Sequence, residues 1–250
     1  MSNTSKSEDY RRRLRALSDW TKFLRAESGL PGPRGNLELA HAVAEEATPR
    51  QMEALLSVPL HDAPENSSGV FLVFCGVAAL GKRVAAGDTS QLPRLRAYAS
   101  DPRWRVREAV AIALQYFGDA DIRKLLREMR RWATGSWYEQ RAAAAALCEP
   151  RLLHDAKIVH SVLAILDAIT RTVASKPDAS EAFRTLRRSM GYCWSVAVAA
   201  YPEEGKPLME KWLRSPSRDV QWIMRQNLQK NRLRHMDEGW VSRCRAKLGG

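Results

Sequence analysis

The chain of 250 residues carries 40 Lys and Arg against 28 Asp and Glu, a formal charge of +12, with 45% hydrophobic and 27% charged residues. That length and balance allow a sizeable core and exclude the composition of an intrinsically disordered chain. A mean hydropathy of -0.40 and the absence of an uninterrupted apolar run of spanning length argue against a membrane protein.

Met1 to Lys6 is polar and leads into Arg11-Arg12-Arg13, without the apolar region of a signal peptide, so a cytoplasmic location is expected. Residues 1–7 and the polar, turn-forming stretch 62–68 are expected to be loose. An apolar helix is predicted over 70–80, ending near Gly81. It contains Gly76-Val77-Ala78-Ala79-Leu80-Gly81-Lys82, most of a phosphate loop, but Arg83 stands where Ser or Thr would hold magnesium. Inside a helix the N–H groups are consumed internally, so the packed-helix reading is preferred. Further on, Ile122, Leu125, Leu126, Met129 and Trp132 share one helical face, as do Ile158, Val162, Ile165, Leu166, Ile169 and Val173. Recurrent Gly, Pro and Asp stop signals divide the chain into about a dozen helices, and no convincing strand is found.

Cys75, Cys148, Cys193 and Cys244 form no C-x-x-C pair and sit in apolar or aromatic surroundings. They are expected to be reduced core residues. The five histidines lack metal-ligand spacing, so neither a metal nor another cofactor is expected.

The stretch 104–114, opening Trp104-Arg105-Val106-Arg107-Glu108-Ala109, aligns with 137–147 at an offset of 33 residues. Asp219-Val220-Gln221-Trp222-Ile223-Met224-Arg225 repeats the D-x-x-W-x-x-R of Asp101 to Arg107, and each copy follows a candidate amphipathic helix. The Asp is positioned to cap the second helix. On these residues the chain resembles the HEAT-repeat (armadillo-like) family over roughly 90–235. The resemblance implies an all-α fold, a right-handed α-α superhelix (solenoid) of two-helix repeats forming one domain over 1–250. It also implies a concave face that binds a macromolecule. Arg107 and Arg225, at the repeat's own spacing, are expected to pair with an Asp of a neighbouring repeat and support stacking.

The charge is segregated. Net charge is +4 over residues 1–25, -4 over 26–91, +5 over 92–131, zero over 132–210 and +7 over 211–250. Arginine supplies 30 of the 40 cations, and its planar fork suits phosphate. Arg103, Arg105, Arg127, Arg130, Arg218, Lys230 and Arg232 are the candidate nucleic-acid contacts, with the alternative that they form ordinary solvated faces. Trp104 and Trp222 are read either as base-stacking residues or, preferably, as inter-repeat core, with Trp137 at the equivalent position. Trp132 and Trp212 are expected in the core.

In outline the chain is similar to the HEAT-like alkylpurine DNA glycosylases, which implies tryptophans that cradle DNA and an aspartate one helical turn after a tryptophan. Four residues after Trp194 stands Val198, so that carboxylate is missing. Trp104 followed by Glu108 is the nearest substitute, and Glu108 is better read as an ion-pair partner of a neighbouring arginine. The preferred expectation is a binding protein for nucleic acid, most simply DNA, without catalysis. A DNA N-glycosylase in alkylation repair, with Glu108 as its candidate, and a scaffold for an acidic protein remain the alternatives.

Overall fold

Every regular element in the computed structural model is helical, as the 3.6-residue periodicity predicts, and no strand occurs among the described residues. The structure describes residues 3–249, and the side chains of 6–248. The chain folds as two compact units, Met1–Ala120 and Asp121–Gly250.

The first unit contains α1 (Asn3–Arg15), α2 (Thr21–Glu27), α3 (Leu37–Glu46), α4 (Pro49–Leu56), α5 (Ser68–Ala85), α6 (Leu92–Tyr98) and α7 (Trp104–Ala120). Residues 1–7, expected to be loose, are helical from Asn3, while Met1 and Ser2 lie outside the described residues. The α1 helix is tied down by charge: Arg11 Nε donates to Glu46 Oε1 at 2.6 Å, and Arg15 donates to both Glu46 oxygens at 2.7 and 2.8 Å. At the centre α5 packs against α2, α3, α4, α6 and α7, with every residue from 69 to 81 buried. The phosphate-loop glycines are packing residues. A Cβ on Gly81 would lie 2.4 Å from Ala113 Cα of α7, and one on Gly76 would lie 2.9 Å from the Leu56 side chain. Gly81 therefore admits a neighbouring helix rather than ending its own, and α5 continues to Ala85.

The second unit contains α8 (Ile122–Trp132), α9 (Trp137–Leu147), α10 (Ala156–Ser175), α11 (Glu181–Ala200), α12 (Pro202–Leu213), α13 (Arg218–Leu228), α14 (Asn231–Met236) and α15 (Glu238–Gly249). Consecutive helices pair as α8 with α9, α10 with α11 and α12 with α13. The second members touch in the row α9–α11–α13, and the first members in the row α8–α10–α12. Side-chain caps start most of these helices: Asp121 on α8, Ser136 with Glu139 in a reciprocal box on α9, Asp155 on α10, Ser180 on α11 and Ser217 on α13. Asp219, expected as the cap of α13, lies instead inside its first turn. By length and hydropathy α5 and α10 are long enough to cross a membrane, and 78% and 44% of these segments are buried within the fold.

One buried amide fastens α13 to α11. Asn227 is fully buried, and its Nδ2 donates to the carbonyls of Met190 and Ile223, both at 2.8 Å. Its Oδ1 accepts the backbone N–H of Ser195 at 2.8 Å. The side chain thus adds three hydrogen bonds to backbone groups within α11 and α13, where water has no access. Replacement by an apolar residue of similar size removes all three.

Two stability predictions follow from this packing. Asn227→Leu is expected to destabilise the protein by about 2–5 kcal/mol, read as a lower urea midpoint at unchanged slope; an unchanged midpoint would contradict the role given to Asn227. The Glu46 carboxyl, held by Arg15 and then Arg11, is lowered from 4.5 to about 2. Its contribution is complete above the unfolded value and fades as pH falls towards the folded one. Glu46→Gln is therefore expected to flatten the acid-side loss of stability in that window, measured by denaturation midpoints across it.

Candidate nucleic-acid interface

The candidate residues fall into three places. The first is the turn before α7 and its opening residues. Arg103, Arg105 and Arg107 are all buried, because each guanidinium is used to hold loops. Arg103 Nε and Nη2 grip the two Asp101 oxygens at 2.8 and 2.7 Å, which raises its pKa further, and Nη1 reaches Ala63 O at 3.4 Å. Arg105 donates to the carbonyls of Gly32 and Pro33 at 3.0 and 3.1 Å and pairs with Glu108 at 3.3 Å. Arg107 donates to the carbonyls of Asp101 and Pro102 at 2.6 and 2.8 Å. Together they tie residues 32–33, 63 and 101–102 to the start of α7. Asp101 works in this clamp, accepting the Arg103 N–H at 2.8 Å.

Trp104 stands out from that clamp. It is 42% exposed, so it is not the core residue preferred from its repeat position. Its ring centroid lies 3.9 Å from the Arg105 guanidinium, and its backbone N–H donates to Glu65 Oε2 at 2.6 Å. Glu108 is held in the Arg105 ion pair. The equivalent tryptophans differ: Trp137 is half-buried, edge-on to Phe183 with its Nε1 on Asp178 at 2.7 Å, and Trp222 is half-buried beneath Arg187. Trp132 and Trp212 are buried as expected.

The second place is the outer side of α8, where Arg127 and Arg130 are exposed and Arg130 Nη2 donates to Ser161 Oγ at 3.3 Å. This helix belongs to the row α8–α10–α12.

The third place is formed by α11, α13 and α14, and it holds the remaining four candidates. Arg218 and Arg225 are exposed on α13, with Trp222 between them at half burial. The Arg187 guanidinium of α11 lies 4.2 Å from the Trp222 ring centroid and pairs with Asp219 at 3.0 Å. Asp219 is thereby occupied, and Arg225, expected as a stacking residue, reaches only Leu248 O at 3.4 Å. On the exposed stripe of α11 lie Arg184, Arg188 and Tyr192. Tyr192 is 44% exposed; Arg232 of α14 lies 4.6 Å from its ring centroid and donates to its hydroxyl, and Lys230 lies 5.9 Å from the ring. Among the described residues, Arg218, Arg225, Lys230, Arg232 and Arg234 have no carboxylate within ion-pair distance. The unit Asp121–Gly250 has 24 Lys and Arg against 14 Asp and Glu, net +10; the unit Met1–Ala120 has 16 against 14, net +2.

Tyr192 and Arg188 escaped the sequence reading. Tyr192 lies between Gly191 and Cys193 in a run that is otherwise buried from Met190 to Val198, so its own neighbours read as core. The available signal was the i−4 and i−8 spacing to Arg188 and Arg184. The cysteines are free and buried as expected; burial pushes the Cys75 thiol well up. No family model, curated protein or solved structure matches this chain.

The contrast between clamp and surface arginines is measurable in stability. Arg105→Ala, which removes the tie to the Gly32 and Pro33 carbonyls and the buried side chain with it, is expected to cost about 2–4 kcal/mol. Arg218→Ala is expected to change stability by less than about 0.5 kcal/mol. Equal thermal shifts for the two variants would contradict the division.

Proposed function

We propose that this protein is a nucleic-acid-binding helical-repeat protein, without catalysis of its own, that engages the phosphate backbone through α11, α13 and α14. The observation that carries the reading is the set of cations left unpaired there: Arg218, Arg225, Lys230, Arg232 and Arg234, with Trp222 and Tyr192 among them. A solvated face without a partner gains from neutralising its charges internally, as the chain does at Arg103 and at Arg187. Here the carboxylates are few, the cations are mostly arginine, and aromatic rings lie beside them, a combination that suits phosphates with bases alongside. The helix pairs of the second unit, touching in two rows, support the HEAT-like repeat reading, in which the row of second helices lines the concave face of a right-handed superhelix.

The earlier candidates divide accordingly. Arg218, Lys230, Arg232 and Trp222 are assigned to contact. Arg103 and Arg105 are assigned to holding the turn before α7. Arg127 and Arg130, on the other row, are assigned a solvated role.

Binding to labelled DNA, followed by fluorescence anisotropy across a salt series, tests the reading. Neutralising about four phosphates predicts a log–log slope near -3 to -4. The triple variant Arg218→Gln/Arg225→Gln/Arg232→Gln is expected to reduce that slope by about 2–3 and to weaken binding at low salt by about tenfold or more. Arg127→Gln/Arg130→Gln is expected to change it little. Absent or salt-insensitive binding would overturn the assignment.

A further inference from the structure

We propose that the nucleic acid taken by this face is single-stranded, with an unpaired base stacked on Tyr192; the inference rests on the nucleic-acid reading above. Tyr192 is the one residue between Met190 and Val198 that projects to solvent. It keeps 44% of its surface open although Arg232 lies over its ring. An exposed tyrosine leaves apolar ring surface against water, where a planar ligand gains by covering it. The ring is also held in a set orientation, because Arg232 both donates to its hydroxyl and stacks on the ring. Such a fixed aromatic face is a preorganised stacking surface.

Cations surround the ring in a way that fits one nucleotide and its flanking phosphates. Arg188 lies one helical turn before Tyr192 on the same exposed stripe. Lys230 and Arg232 approach from the start of α14. Arg188 is shared with Glu181 at 3.3 Å, whereas Lys230 and Arg232 have no carboxylate partner among the described residues. A duplex conceals the faces of its bases within the stack and offers this surface only phosphates and groove edges. A single strand offers the same phosphates and a free base face for the tyrosine. The arrangement therefore discriminates between the two forms through the ring, while the cations serve both.

The test compares the intact protein and three variants on a labelled oligothymidylate and a blunt DNA duplex at one low salt concentration. The wild-type protein is expected to bind the single strand more tightly. Tyr192→Leu, which keeps apolar bulk and removes the π-face, is expected to weaken single-strand binding by about fivefold to a hundredfold and duplex binding, through the released Arg232 alone, by less than about threefold. Tyr192→Phe and Tyr192→Trp are expected to retain the preference, since they keep a ring. If binding is salt-dependent but the duplex is held equally well or better, or if Tyr192→Leu behaves as wild type, the single-strand inference is overturned and the basic-face reading stands. If neither form binds in a salt-dependent way, the reading beneath it falls as well.

Discussion

A guanidinium taken out of water needs protein acceptors for most of its N–H groups, and this requirement divides the arginines of the chain. Where acceptors are present, the side chain goes inside and becomes a tie between segments. Arg105 reaches Gly32 and Pro33, Arg103 grips Asp101, and Arg107 takes the carbonyls of Asp101 and Pro102. Where no carboxylate lies in reach, as at Arg218 and Arg232, the charge stays at the surface and keeps its attraction for an outside anion. The loops before α7 therefore depend on buried arginine, and the proposed binding face depends on arginine that was never neutralised.

The same division governs the aromatics. Trp132 and Trp194 are fully buried, and their indole N–H groups find partners in Glu128 and Thr170. Trp222 is half-covered by Arg187, which is itself balanced by Asp219. Tyr192 is covered by Arg232, which has no acid to balance it. An aromatic beside a free cation is a place where an anionic, planar ligand gains on both counts, and Trp222, between Arg218 and Arg225 on α13, keeps part of its ring open for the same use. Asn227 connects these roles by locking α13, which carries Arg218 and Arg225, onto α11, which carries Arg188 and Tyr192.

Much of the helical order was legible in the sequence. Apolar spacing located α8 and α10, and the run of small and apolar residues located α5, including the glycines that resemble a phosphate loop. Distances along the chain hid the rest. Arg105 and its acceptor at Gly32 are 73 residues apart, so nothing local distinguished a clamp arginine from a contact arginine in Arg103-Trp104-Arg105. The repeat alignment placed Trp104, Trp137 and Trp222 together, yet their exposure differs because each meets different neighbours: Arg105 on one side only, Phe183, or Arg187. Tyr192 was concealed by the apolar character of the residues flanking it. The charge surplus over 211–250, by contrast, was visible as composition and falls on the helices that carry the free cations.

Contact is assigned to the unneutralised cations of α13 and α14, beside Tyr192 of α11, and not to the buried arginines at the start of α7. Hydrogen exchange measured with and without a saturating oligonucleotide addresses it most directly. Slowed exchange is expected across residues 184–192 and 218–235, with residues 101–108 unchanged. Slowed exchange confined to 101–108, with 218–235 unaffected, would contradict it.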